Sequence, residues 1–69
     1  MKSLEAGTYR HYKGKMYEVL DVAYHSETEE RFVVYKALYG EGEMWIRPFE
    51  MFTEMVEIDG KKILRFEKI

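Results

Sequence analysis

Turn-forming residues divide this chain into short runs whose composition is that of β-strands. The turn signals are Gly7, Lys13-Gly14, His25-Ser26-Glu27-Thr28, Gly40-Glu41-Gly42, Pro48 and Asp59-Gly60. Between them lie runs rich in Tyr, Val, Ile and Phe, which suit pleated, half-buried surfaces. Short strands at such spacing predict a mostly β fold.

The runs predict a small SH3-like barrel of five to six short antiparallel strands. They cover residues 8–12, 16–24, 31–39, 44–47, 54–58 and 62–66. Pro48 ends the fourth run and favours one 3-10 or helical turn near Pro48-Phe52. Asp59-Gly60 predicts a closing hairpin between the last two runs. We expect a single domain over residues 1–69, with an ordered core at about residues 7–67.

Two runs carry more detailed signals. In residues 16–24, apolar positions of one parity, Tyr17 and Val19, give way to the other parity from Leu20 onward. A bulge or bend near Leu20-Asp21 would reconcile the two sets, and small barrels need such bends. Residues 31–39 are apolar on both faces, which predicts a central strand.

The composition supports a small core without covalent staples. Ordering a chain costs about 1.5 kcal/mol per residue, and 46% hydrophobic residues, including six Tyr, four Phe and one Trp, can offset it. The sequence has no Cys, which excludes disulfides, a thiolate nucleophile and the usual structural zinc sites. The first residues lack the apolar core of a signal peptide, and no apolar run approaches ~20 residues. We therefore predict a cytoplasmic protein with no membrane partner.

Charge is distributed unevenly along the chain. The net charge is −2, so it gives no global attraction to nucleic acid or anionic lipid. Residues 1–20 carry four cations and two acids, residues 21–60 three cations and ten acids, and residues 61–69 four cations and one acid. The two ends are basic and the middle is acidic. Because the ends of a barrel often pair, we expect the two basic segments to meet.

The loop His25-Ser26-Glu27-Thr28 invites a catalytic interpretation. A hydrolase or transferase would use His11 or His25 as general base, with Glu27 as the orienting partner. Neighbouring side chains on a turn diverge, however, and Ser and Thr in loops usually satisfy backbone groups. Two His without Cys or a recurring spacing give no metal prediction. We assign no catalytic residue, metal or cofactor.

Aromatic and basic residues alternate in two segments, Tyr9-Arg10-His11-Tyr12-Lys13 and Trp45-Ile46-Arg47-Pro48. Stacking aromatics beside phosphate-reaching cations can hold nucleic acid, and the same residues can line a nucleotide or peptide groove. The predicted groove consists of Tyr9, His11, His25, Glu27, Tyr35, Trp45 and Arg47, with Arg10 and Lys13 as candidate phosphate or anion contacts.

The orientation of Trp45 decides between a groove and a core. If Met44 and Ile46 face the core, Trp45 is an exposed indole beside the Arg47 guanidinium, which indicates a binding surface. If the parity is reversed, Trp45 belongs to the core and the groove is lost.

The leading hypothesis is a small binding module for a nucleotide, nucleic acid or peptide in this groove. Nucleic acid is a candidate that the net charge does not favour. The alternative is a homo-oligomeric or partner-assembly domain without a small ligand, which uses the strand at residues 31–39 or an open sheet edge in a homodimer. Enzymatic activity through His11 or His25 ranks third.

The ordered motifs resemble a known family. They are Tyr9-Arg10-His11-Tyr12-Lys13-Gly14, Tyr17-Glu18-Val19, His25-Ser26-Glu27-Thr28, Val33-Val34-Tyr35, Leu38-Tyr39-Gly40, Trp45, Arg47-Pro48 and Met51-Phe52. Together they are similar to the small bacterial family of domains of unknown function numbered sixteen fifty-three. Leu64 stands where proline is expected in that family. The resemblance implies a compact β domain that occurs alone or attached to other domains, and it brings no activity, cofactor or catalytic residue.

Overall fold

A computed structural model of the protein describes residues 4–69 and shows a mostly β, antiparallel structure with one short helix. The strands are β1 Gly7–His11, β2 Met16–Tyr24, β3 Arg31–Ala37, β4 Met44–Pro48, β5 Met55–Ile58, β6 Lys61–Leu64 and β7 Phe66–Lys68, and helix α1 spans Phe49–Thr53. Five strands form one sheet in the order β4-β3-β2-β1-β7, while β5 and β6 form a second sheet of two strands.

Strand β2 contains the predicted irregularity. Its register against β3 shifts between Val19 and Asp21, so Leu20 has no opposite residue. An extra residue bends a strand and exchanges its two faces. The bulge therefore lets Val19 and Val22 pack on the same side of the sheet, although they have different parity.

The two ends of the chain pair as expected. Strands β1 and β7 are antiparallel, with Tyr9 opposite Lys68 and His11 opposite Phe66. Lys2, which contributes to the basic N-terminal segment, lies outside the described residues.

The Asp59-Gly60 hairpin is confirmed, but its second strand is shorter than predicted. Asp59 and Gly60 both have positive φ, 52° and 79°, as the primed turn of a tight hairpin requires. Strand β6 ends at Leu64, and Phe66 begins β7 in the larger sheet. The run 62–66 thus supplies two strands, and residues 4–69 contain seven strands rather than five to six.

The core is a cluster of aromatic rings between the large sheet and α1. Pro48 precedes the helix with φ −52°, which suits a helix start, and α1 then buries Phe49 and Phe52. The Phe52 ring stacks on Phe66 with centroids 4.0 Å apart. Tyr9 and Tyr35 meet Phe52 with their rings 5.7 and 5.2 Å away. We call the face of the sheet that carries this core the inner face.

Candidate functional site

Trp45 lies on the inner face but is not buried. It stands opposite Tyr35 across the β3–β4 ladder, and opposite residues point to the same side of a sheet. Its side chain is nevertheless 47% exposed because β4 is the end strand of the sheet. Met44 and Ile46 are exposed on the outer face. Neither sequence alternative described this arrangement, in which the indole has the parity of the core and the accessibility of a surface residue.

A groove of about 240 Å³ opens beside Trp45 on the inner face. Its lining consists of Tyr17, Tyr35, Tyr39, Trp45 and Arg47, and we call it the inner groove. The Tyr17 ring lies 5.3 Å from Tyr35 and 5.5 Å from Tyr39, both edge to face. Arg47 Nε donates a hydrogen bond of 3.3 Å to the Tyr35 hydroxyl. The inner groove is therefore an aromatic surface that carries one guanidinium.

The Tyr17 hydroxyl in this groove is neutral at physiological pH. Tyr17 and Tyr39 share a hydrogen bond of 2.8 Å between their hydroxyl oxygens. Burial, followed by this hydrogen bond, raises the pKa of Tyr17 to about 12. Its hydroxyl thus offers a donor or an acceptor rather than a negative charge, and Arg47 sets the charge of the inner groove.

Arg47 differs from the other three arginines of the chain. Each of those forms an ion pair with a carboxylate: Arg10 with Glu67 at 3.2 Å, Arg31 with Glu50 at 3.6 Å, and Arg65 with Glu54 at 3.0 Å. No carboxylate within residues 4–69 lies within 4 Å of the Arg47 guanidinium. Its neighbours are instead the Tyr35 hydroxyl and the Phe66 ring, whose centroid is 5.6 Å from Cζ. A guanidinium in this situation is suited to an external anion.

His11 borders this aromatic surface. Its ring packs edge to face on Phe66 at 4.9 Å and on Tyr17 at 6.4 Å. Its Nδ1 accepts a hydrogen bond of 3.1 Å from the backbone N–H of Lys13, so the proton of the neutral ring is on Nε2. Burial, followed by the nearby charges of Arg47, Arg65 and Lys13, lowers the pKa of His11.

We expect acidification to lower the free energy of unfolding, because His11 is harder to protonate in the folded protein than in the unfolded chain. Its pKa in the folded protein is below the ordinary 6.5, so the unfolded chain takes up the proton first. The contribution of neutral His11 to the free energy of unfolding is therefore complete above pH 6.5. It is lost as the pH falls from 6.5 to the lowered pKa. Urea unfolding at about pH 7.5 and 5.5 should show a smaller loss for His11→Asn than for the unaltered protein. Equal losses in the two proteins would contradict this assignment.

The second histidine lies at the opposite end of the sheet. Tyr17, beside His11, and Tyr24, beside His25, are separated by seven residue steps of β2, or roughly 23 Å at about 3.3 Å per residue. His25 Nδ1 accepts the backbone N–H groups of Glu27 at 3.0 Å and Thr28 at 3.3 Å. The loop thus satisfies its own backbone, and within the described residues His11 lies far from both His25 and Glu27.

Two other predicted groove positions lie elsewhere. Tyr9 is buried at 5% exposure, and its hydroxyl donates a hydrogen bond of 2.7 Å to the carbonyl of Glu5. Burial, and then the charge of Glu5, raise the pKa of Tyr9. Glu27 is exposed in the distant loop. The structure therefore joins Tyr35, Trp45 and Arg47, sets His11 at their border, and separates Tyr9, His25 and Glu27 from them.

The two candidate phosphate contacts are also outside the inner groove. Arg10 pairs with Glu67 beside a larger cleft of about 450 Å³, whose lining also includes Tyr12 and Lys62. Lys13 has its Nζ 5.9 Å from the centroid of the Tyr12 ring. Because Arg10 already has a carboxylate partner, whereas Arg47 has none within residues 4–69, we favour the inner groove as the functional site.

Sequence reasoning missed Tyr17 and Tyr39 as site residues, although a signal was present. Tyr39 shares the parity of Val33, Tyr35 and Ala37, and Tyr17 shares that of Val19. The residues of β2 and β3 that share these parities with them, namely Val19, Val33, Tyr35 and Ala37, are buried in the core. Assigning the core face first would have placed both tyrosines beside Tyr35.

The described part of the chain contains neither a candidate metal site nor a candidate membrane-spanning helix. No group of three or more His, Asp or Glu side chains within residues 4–69 could hold a metal ion. No helix in the same residues is long and apolar enough to cross a membrane.

Comparison with known proteins identifies the family. A family model described as "Protein of unknown function (DUF1653)" matches residues 7–68. The chain is similar to a solved structure, the crystal structure of a DUF1653 protein from Bordetella bronchiseptica, with 35% sequence identity and a TM-score of 0.87 over 96% of this chain and 87% of that chain. No curated protein matches the chain. The chain therefore belongs to the DUF1653 family, whose motifs its sequence resembles.

Proposed function

We propose that this domain is a binding module that takes a nucleotide in the inner groove, with the base against Trp45 and a phosphate on Arg47. The nucleotide is either free or part of a short single strand. The observation that supports this most is the pairing of a half-exposed indole with an arginine that has no carboxylate partner among the described residues. The ligand would supply both missing elements, a planar group and an anion.

The size of the inner groove favours one base rather than an extended ligand. At about 240 Å³ it is smaller than the roughly 300–1,000 Å³ of sites for drug-sized molecules. A base stacked on an aromatic side chain contributes about 1–3 kcal/mol. The hydroxyls of Tyr17 and Tyr39 are able to donate or accept hydrogen bonds at polar edges of a base.

Positive charge near the inner groove supports an anionic ligand, although the chain as a whole has a negative net charge. Lys15 Nζ lies 4.4 Å from the centroid of the Tyr39 ring, so a second cation stands at its border. The net charge of −2 gives long nucleic acids no general attraction. A mononucleotide or a few nucleotides therefore fit this local positive charge better than a duplex.

Peptide binding differs from nucleotide binding in its response to salt. Phosphate contacts make affinity fall with rising salt, with a slope of about 0.7–0.9 per phosphate in log–log form. A peptide held mainly by aromatic pockets is less sensitive. The SH3-like arrangement of the strands and a cytoplasmic location stay predictions, and nucleotide binding requires neither.

A titration tests the proposal. Trp45 is the single Trp of the chain, so its fluorescence reports on this site, and amide shifts locate the contact. We expect a mononucleotide and a short single strand to perturb Trp45, Arg47 and Tyr17 but not the distant His25 loop. The matched nucleoside, which lacks the phosphate, should bind more weakly. No response of the inner groove to millimolar nucleotide, or a salt-insensitive response to peptides alone, would contradict nucleotide binding.

A further inference from the structure

Strand β4 is an open edge with an unusual surface. It pairs with β3 on one side and ends the five-stranded sheet on the other. Three consecutive apolar residues, Met44, Trp45 and Ile46, are exposed on it. Natural edge strands are usually protected by charges, prolines or short length. The opposite edge, β7, has such protection, since it is three residues long and carries Glu67 and Lys68.

The register shows which backbone groups of β4 face this edge. The N–H of Ala37 donates a hydrogen bond of 2.9 Å to the carbonyl of Glu43, in the same register that places Tyr35 opposite Trp45. In an antiparallel ladder, hydrogen-bonded and non-bonded pairs alternate. Glu43 and Trp45 therefore direct their backbone groups toward β3. Met44 and Ile46 direct theirs away from it, toward the open edge.

We propose that a second copy of the chain adds to this edge in antiparallel orientation, with Trp45 of each copy facing Trp45 of the other across a two-fold axis. Met44 of each copy then lies opposite Ile46 of the other, so the two-fold axis produces two equivalent Met44–Ile46 pairs. Each of these pairs exchanges two backbone hydrogen bonds. The N–H and C=O groups used are those that point to the open edge, and Pro48, which has no N–H, falls outside the shared ladder.

The side chains are complementary in this register on both faces of the sheet. On the outer face, Met44 meets Ile46, and both are exposed in the single chain. On the inner face the two indoles meet at the axis, and Arg47 of each copy stands opposite Glu43 of the other. Opposite-charge and aromatic pairs of this kind stabilise antiparallel strands. These charge pairs favour a second copy over an unrelated strand, because the same chain supplies both the acid, Glu43, and the base, Arg47.

Pairing has a consequence for the inner groove. In the dimer, Trp45 and Arg47 contact the second copy, so they are less accessible to a nucleotide. Pairing and nucleotide binding then oppose each other, and each weakens the other by the same factor. The dimer itself does not depend on the proposed function, since its contacts are all within the protein.

A charge exchange tests the pairing. Sedimentation of the unaltered protein from about 1 µM to 1 mM should show a concentration-dependent dimer. Glu43→Arg places like charges opposite Arg47 at both ends of the ladder, and we expect its dimer dissociation constant to rise at least about tenfold. Glu41→Arg makes the same charge change at an exposed position in the neighbouring turn and should leave dimerisation unchanged. The double variant Glu43→Arg/Arg47→Glu should restore the dimer.

Cysteine cross-linking tests the register, since the chain has no Cys of its own. Trp45→Cys should form a disulfide between two copies across the axis, whereas Ile46→Cys, which faces Met44, should not. A protein that stays monomeric up to about 1 mM would overturn the proposal, as would equal effects of Glu43→Arg and Glu41→Arg. Cross-linking through Ile46→Cys alone would overturn this register. Nucleotide binding by the monomeric Glu43→Arg variant would still support the proposed function.

Discussion

Replacement of Phe52 by alanine is expected to lower the free energy of unfolding by about 3–5 kcal/mol. Phe52 is 1% exposed and is the largest fully buried side chain of the described residues. Its ring stacks on Phe66 at 4.0 Å and also contacts Tyr9 and Tyr35. Alanine would leave a cavity at the centre of this cluster, and a small sheet with one short helix has few side chains that can fill it.

The size of this loss is comparable to the whole stability of such a domain, which is roughly 3–10 kcal/mol at about 0.05–0.15 kcal/mol per residue. Phe52→Leu retains more of the volume and should lose less, so it gives a measurable value if the alanine variant is partly unfolded. Met51→Ala, on the exposed side of the same helix, should change stability by no more than about 0.5 kcal/mol. Urea unfolding followed by circular dichroism measures all three variants. Similar losses for Phe52→Ala and Met51→Ala would contradict the assigned core.

The Phe52 cluster also supports the inner groove. Tyr35, whose hydroxyl accepts the Arg47 Nε–H, packs its ring 5.2 Å from Phe52 and 5.7 Å from Phe66. A shift of Tyr35 would therefore move the guanidinium. Phe52→Leu should weaken nucleotide binding in addition to reducing stability, although Phe52 does not line the groove.

Local patterns predicted the parts of the fold that depend on neighbours along the chain. The change of parity after Val19 predicted the bulge at Leu20, because side chains alternate strictly between the faces of a strand. Asp59-Gly60 predicted the hairpin, because both residues accept positive φ. These signals need only a few consecutive residues.

The boundary between β6 and β7 could not be predicted in this way. Arg65 donates its backbone N–H to the carbonyl of Glu54 at 3.2 Å, and its guanidinium pairs with the carboxylate of Glu54 at 3.0 Å. These bonds to a residue eleven positions away hold the chain where it passes from β6 to β7. The neighbouring Phe66 is buried, so the core, and not the local sequence, assigns it to the larger sheet.

The candidate site shows the same limit. Alternation fixes the face of Trp45 relative to Tyr35, but the position of β4 at the sheet edge decides its exposure. His11 and His25 resemble each other as isolated histidines. Only the order of strands reveals that one borders the aromatic cluster and the other serves a distant turn. Tyr9 looked like a groove residue because it adjoins Arg10, yet the pairing of β1 between β2 and β7 buries it.

Replacement of Arg47 by glutamine is expected to weaken nucleotide binding by about ten- to a hundredfold. A hydrogen bond to a charged group contributes about 1.5–3 kcal/mol, and about 1.4 kcal/mol corresponds to a factor of ten. Arg47→Lys keeps the charge but loses the planar fork that holds Tyr35 and a phosphate together. Its affinity should therefore be intermediate. Trp45 fluorescence measures all of these affinities in one assay.

Arg10→Gln is the matched control, because it removes the same charge from an exposed arginine that already pairs with Glu67. Its nucleotide affinity should stay close to that of the unaltered protein. Arg47→Gln should also reduce the salt slope by about one, since one phosphate contact is lost, whereas Arg10→Gln should not. Performing both titrations in the Glu43→Arg background removes dimerisation as a cause of any difference. If the two arginine variants bound equally well, Arg47 would not be the anion contact, and its freedom from carboxylates would reflect its place beside Tyr35 and Phe66 alone.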